Sequence, residues 1–166
     1  MISEQHLESI DRYVQQAVAE GGKIEIGGKR LLEGALAKGS YYAPTIITGL
    51  KNSDSVCQEE IFGPVLVVLP FDDEAALITE ANDSVYGLSA GIWTENYRRA
   101  WQLARTLEAG TIWINTYKKF SISTPFGGYK ESGIGREKGR LGILSYMQQK
   151  SIFLSLDETP NPWCES

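Results

Sequence analysis

Between Pro64 and Asn115 the chain reads PVLVVLPFDDEAALITEANDSVYGLSAGIWTENYRRAWQLARTLEAGTIWIN, and this stretch decides the fold. Val65 to Leu69 is an unbroken apolar run, which predicts a strand covered on both faces. Asp72-Asp73 then offers an N-cap for a helix to about Ala81. After a turn at Tyr86-Gly87, Leu88 to Trp93 is strand-like. Thr94 is placed to cap a helix that sets Tyr97, Ala100, Trp101, Ala104 and Leu107 on one side and stops at Gly110. Thr111 to Ile114 closes the stretch as a short buried strand. Strand alternating with helix is the pattern of βαβ units, so the fold class is α/β, with a mostly parallel sheet and flanking helices.

Toward the N-terminus, Leu7, Ile10, Val14, Ala17 and Val18 recur at helical spacing from Ser3 to Glu20, with Ser3 as N-cap and Gly21-Gly22 as the stop. Lys23 to Ile26 alternates as a short strand. A second apolar run, Tyr41 to Ile47, contains Pro44, which predicts an edge or irregular strand. Toward the C-terminus, Asn115 to Gly135 is rich in glycine and aromatics without a sustained period and reads as a long irregular loop. A last helix is expected near Glu137 to Met147, followed by an apolar strand over 151–156 and a Pro-containing tail.

With 166 residues, 42% of them hydrophobic, the chain is long enough to bury a core and has the size of one domain. A net charge of −5 with scattered Lys and Arg argues against nucleic acid as a partner. His6 is the only histidine, and Cys57 and Cys164 stand far apart, so neither a zinc site nor a triad with a second histidine can be assembled. No run is long and apolar enough for a bilayer span, and Met1 to His6 has neither basic flank nor apolar core; a cytoplasmic protein without membrane contact is expected.

Three ordered segments are more specific: Gln58-Glu59-Glu60-Ile61-Phe62-Gly63-Pro64-Val65, Ala109-Gly110-Thr111-Ile112-Trp113-Ile114-Asn115, and the run from Pro125 to Glu137, PFGGYKESGIGRE. Together they resemble the C-terminal part of the NAD(P)-dependent aldehyde dehydrogenase superfamily, and weaker matches extend the resemblance over nearly the whole chain. It implies a partial catalytic domain over 1–148 and an oligomerisation strand with tail over 149–166.

Family members attack an aldehyde with a thiolate, pass hydride to nicotinamide and hydrolyse the thioester. By resemblance, the nucleophilic cysteine and the glutamate base belong to sequence ahead of this segment, so this chain alone is expected to be inactive. Glu60 matches the carboxylate that accepts hydrogen bonds from the nicotinamide ribose, and Phe62 the aromatic beside it; the plainer readings are a turn cap and a core phenylalanine. Phe120 and Phe126 match the mouth of the aldehyde tunnel, or simply anchor their loop. Lys130 and Gly133 match backbone-carbonyl ligands of a monovalent cation in the betaine-aldehyde branch. Glu137 matches an accessory charge-relay acid there; otherwise it is an acid at a helix N-terminus.

Cys57 lies beside Glu59 and Glu60, which disfavour a thiolate, so it reads as a structural thiol; Cys164 reads as exposed and incidental. NAD or NADP is the cofactor implied for the family, with weak or no binding expected here, and the aldehyde is the substrate class. Self-association through 151–156 is expected, because an edge strand needs cover. The alternative is a non-catalytic oligomerisation or interaction module. A compact nucleotide-binding domain is disfavoured, since no Gly-x-Gly-x-x-Gly follows a strand.

Overall fold

The computed structural model describes residues 1–156; Cys164 and most of the tail lie outside them. The chain is mixed α/β, laid out in two regions. In the first, helix α1 (Glu4–Ala19) starts where Ser3 accepts a hydrogen bond from the His6 amide and buries Leu7, Ile10, Val14 and Ala17. That stripe packs on a three-stranded sheet of β1 (Lys23–Ile26), β2 (Thr45–Thr48) and β3 (Val65–Val67), in the order β1-β2-β3. β1 runs antiparallel to β2 and β3 parallel to it. The parallel return goes through the short helix α2 (Ser55–Gln58).

Two expectations change here. β2 is the central strand, not an edge. Pro44 stands one residue before it, where no ladder donor is needed, and the ladder begins as Thr45 N–H donates to the Pro64 carbonyl at 2.8 Å. β3 is one of the two edge strands of the sheet, and Leu66 and Val68 are exposed rather than covered. An unbroken apolar run says that cover is wanted on both faces, and residues 1–156 supply it on one.

In the second region, α3 (Glu74–Asn82) is capped by the Asp73 carboxylate on the Ala76 amide. β4 (Tyr86–Gly87) and β5 (Ser89–Ile92) follow, then α4 (Tyr97–Thr106) and β6 (Thr111–Ile114). β5 and β6 pair in parallel from Ser89↔Thr111 to Ile92↔Ile114, a βαβ unit around α4. β3 and β5 belong to different sheets, so the first half of the expected alternation does not close into one sheet. The cap of α4 is Asn96, whose side chain accepts from the amides of Arg98 and Arg99, while Thr94 is tied across to Asn115. Its inward face is Ala100 and Leu103, with Tyr97 and Trp101 outside.

The expected irregular loop contains one regular piece, β7 (Tyr129–Lys130), antiparallel to β4. The last helix, α5 (Gly139–Leu144), is shorter than expected. Residues 151–156 form no strand and are exposed.

The two regions are joined by polar side chains. Asn52 Nδ2 donates to the Glu80 carbonyl at 3.1 Å, and Gln58 Nε2 to the Asp83 carbonyl at 2.9 Å. Both acceptors lie at the C-terminal end of α3, where the Glu80 carbonyl also takes the Asp83 amide at 3.1 Å.

Candidate active site

Residues 59–64 form a loop between α2 and β3, and α1 is the platform that shapes it. His6, Ile10 and Tyr13 lie on one flank of the helix at steps of four and three. Tyr13 donates from its hydroxyl to Glu59 Oε2 at 2.8 Å, a bond that raises the tyrosine pKa above its ordinary value, helped by desolvation. Ile10 lies against Gly63, where an added Cβ would come within 2.8 Å of two of its side-chain carbons, so only glycine lets loop and helix approach this closely. His6 Nε2 sits 2.9 Å from the Phe62 carbonyl. A carbonyl only accepts, so Nε2 carries the proton.

The loop so held presents its next side chains outward. Glu59 is spent on Tyr13, whereas Glu60 is exposed and has no hydrogen bond or ion pair among the described residues. Phe62 is 75% exposed and sits at φ +53, a left-handed conformation that is costly for a bulky residue. It is therefore not a core phenylalanine. Glu60 stands between two hollows: a cleft of about 840 Å³, walled by Leu77, Tyr86, Leu88, Trp93 and Leu103, and a smaller one of about 360 Å³ shared with Cys57 and Phe62.

Phe120 and Phe126 come together elsewhere. Their rings meet edge to face at 5.2 Å, and Trp113 meets Phe120 the same way at 5.4 Å. The Trp113 indole donates to the Lys119 carbonyl at 2.7 Å, which fixes the start of the loop on β6. Lys138 Nζ lies 4.1 Å from the Phe120 centroid and 5.8 Å from that of Phe126. Phe126 lines a third hollow of about 1130 Å³ with Glu137 and Lys138; Leu88 and Ser132 also line the 840 Å³ cleft and so form the shared wall.

The turn after Phe126 is held by close backbone contact. A Cβ on Gly110 would fall 1.7 Å from the Gly127 carbonyl oxygen, which explains the glycine of the second motif, and one on Gly127 would fall 2.7 Å from the Gly135 carbonyl oxygen, which explains that of the third. Phe126 and Glu137 exchange both backbone hydrogen bonds, at 2.8 and 2.7 Å. Glu137 thus precedes α5 rather than opening it, and its side chain is exposed. Lys130, at φ +51, places its ammonium on the carbonyls of Asn82 and Ser84 at 2.6 and 3.0 Å and on Glu108 at 2.7 Å. Gly133, at φ +142, lies in the same turn with open space around it. Among the described residues no group of His, Cys, Asp and Glu side chains is gathered to hold a metal ion.

The family model for the aldehyde dehydrogenase family matches residues 1–152. The chain belongs to the aldehyde dehydrogenase family. A betaine aldehyde dehydrogenase of Bacillus subtilis (strain 168) is 37% identical over all 166 residues, which span 34% of that relative. An aldehyde dehydrogenase from Bacillus cereus, solved as an NAD+ complex, is 43% identical with a TM-score of 0.88, covering 95% of this chain and 31% of its own. A betaine aldehyde dehydrogenase of Staphylococcus aureus, also solved with NAD+, is 42% identical with a TM-score of 0.85, covering 88% and 29%. The chain spans about a third of the length of these aldehyde dehydrogenases.

Within this aldehyde dehydrogenase segment, Cys57 is half-buried, and desolvation, then the charges of Asp54 and Glu20, push its thiol up. A thiol kept protonated is a poor nucleophile. The sequence pattern does not show the supporting role of α1. His6 and Tyr13 flank an apolar stripe and look like solvent-facing polar residues; their partners lie 56 and 46 positions away. The one usable signal was that the only histidine falls four residues before Ile10.

Proposed function

We propose that this chain is the part of an aldehyde dehydrogenase that carries one wall of the nicotinamide-ribose site and one wall of the substrate entrance, and that these 166 residues do not turn over an aldehyde by themselves. The exposure of Phe62 carries the reading. An aromatic held outward at a costly backbone angle, beside a carboxylate with no partner among the described residues, has the form of a surface made to receive a ligand. Glu60 is acceptor-only and can take two ribose hydroxyls at once. Phe62 offers an apolar edge to the nicotinamide. NAD or NADP, when bound, supplies the hydride acceptor. The chain's own residues contribute position: α1 sets the loop through His6, Ile10 and Tyr13, and the loop sets Glu60.

Phe120 and Phe126 form the wall that excludes water at the aldehyde entrance, and Glu137, pinned to Phe126 through its backbone, is an accessory acid lining the same hollow. The carbonyls of Lys130 and Gly133 are of the hard-oxygen type that suits a monovalent cation, and both residues turn in left-handed backbone. Inactivity is supported by the setting of Cys57: burial and the charges of Asp54 and Glu20 push its thiol up, and among the described residues its side chain has no hydrogen-bonded base. Purified chain given an aldehyde with NAD+ or NADP+ is expected to form no reduced nicotinamide above the blank. Sustained turnover lost in Cys57→Ala would overturn this reading.

A second reading, an interaction module, is favoured by one observation. Ile152, Phe153, Leu154 and Leu156 are each more than four-fifths exposed, an apolar run that another chain can cover. Sedimentation of the chain is expected to show self-association that Phe153→Asp removes; a monomer at all concentrations would dismiss it.

A further inference from the structure

The segment from Asn115 to Arg140 is charged opposite to the chain that contains it. It carries six cations, Lys118, Lys119, Lys130, Arg136, Lys138 and Arg140, against two acids, Glu131 and Glu137, for a balance of +4 in a chain of net −5. Two of the cations are spent internally. Lys130 is held by two carbonyls and Glu108, and Arg136 donates to the carbonyls of Gly128 and Gly135. The other four make no ion pair among the described residues. Lys138 is aimed: its ammonium lies over the Phe120 face and within reach of Phe126, the pair assigned above to the substrate entrance. Lys118 lies 5.7 Å from the Tyr117 centroid, and the Tyr117 ring meets Trp113 edge to face on the same aromatic ladder.

We infer that this entrance selects aldehydes bearing an anionic group, such as a carboxylate, over neutral ones, and rejects those bearing a quaternary ammonium. The inference rests on the reading of Phe120 and Phe126 as an entrance wall. The aromatic faces that could receive a substrate cation already hold the protein's own ammonium. A second fixed positive charge at that distance is repelled, while a carboxylate is attracted and finds donors in Lys138 and Arg140, which line the hollow of Phe126 with Glu137 as the one acid there among the described residues. Relatives named for betaine aldehyde act on a cationic substrate; this chain has the opposite charge preference at its aromatic wall.

The test uses the full chain and three alcohols, chosen because aldehydes condense with lysine: 4-hydroxybutanoate, butan-1-ol and choline. The Trp113 indole N–H resonance is the reporter, since that group bonds the Lys119 carbonyl and its ring touches Phe120. The expected order is 4-hydroxybutanoate tighter than butan-1-ol by about fivefold or more at low salt, with choline weakest. Lys138→Gln should remove most of that preference, while Lys138→Arg should keep it. An anion no tighter than butan-1-ol, or choline tightest, overturns the inference alone. If none of the three moves Trp113, the entrance reading fails and takes the inference with it.

Discussion

The first 69 residues and the 80 or so that follow solve the same packing problem with different completeness. In the first region one helix and three strands bury Ile10, Val14, Thr45 and Ile47 almost entirely, and Thr45 satisfies its hydroxyl by donating to the Ala43 carbonyl and accepting from the Gly28 amide. In the second, Ile92, Ala100, Leu103 and Trp113 are the buried hydrophobics, while Trp93, Tyr97, Trp101, Tyr117 and Leu88 face solvent. The chain exposes 12806 Å² in all, where a self-contained protein of its mass would expose roughly 8,000 Å². The first region has a core of its own; the second has one face of a core, and its apolar surface has the character of an interface.

This difference is broken most directly in the cores. Ile47→Ala removes a fully buried side chain from the cluster of Ala17, Leu50 and Val56 and is expected to cost about 3 kcal/mol. Leu103→Ala, in the thinner layer under α4, is expected to cost no more than about 2 kcal/mol, because its surroundings are less closed. Urea unfolding followed by far-ultraviolet dichroism measures both, and equal costs would mean that the regions are equally packed.

Next comes the contact between core and candidate site. Gly63→Ala drives a methyl into Ile10, and overpacking of this kind costs about 1–3 kcal/mol. The more specific outcome is local: the Phe62 ring resonances should move, since His6 and Ile10 hold that loop together. A destabilised chain with Phe62 undisturbed would separate the loop from α1.

In the second region the comparable role falls to a charge. Lys130→Met takes an ammonium from two carbonyls and from Glu108 and is expected to cost about 1–2 kcal/mol, with amide exchange accelerated at the end of α3 and in β4. If exchange rises only at β7, the lysine is a surface ornament and the C-terminal turn holds itself.

What could be read from the sequence divides along the same line. α1 was legible because its stripe, its cap and its stop all agree, and its one buried face lies within the chain. β3 and α4 differ where burial depends on cover from elsewhere: Leu66 and Val68, expected to be covered, stand exposed, and of the residues grouped on one side of α4 Ala100 is buried, with Leu103, while Trp101 faces solvent. The motifs located the loops of Glu60 and of Phe126, because glycines at close approaches leave a mark in sequence. The anchoring of Phe62 by His6 left none, since a hydrogen bond to a backbone carbonyl constrains nothing about the residue that owns it.

The smallest effect asks whether the first region is also tied at its surface. Glu20, at the end of α1, accepts from the Ser55 hydroxyl and from Gln16 Nε2, and the Ser55 bond is the main cause holding its carboxyl below the ordinary value. A depressed carboxyl contributes to stability above its unfolded-state pKa and loses that contribution as pH falls through the folded value. The link between α1 and α2 should therefore hold through neutral pH and loosen only under more acid conditions than an untethered glutamate requires. Ser55→Ala should bring Glu20 up toward its ordinary value, read from the side-chain carboxyl carbon in a pH titration, with little change in global stability because the group is exposed. Should Glu20 titrate identically in both chains, its low value comes from the Gln16 side chain and the Val56 amide instead, and the Ser55 hydroxyl is not what ties α1 to α2.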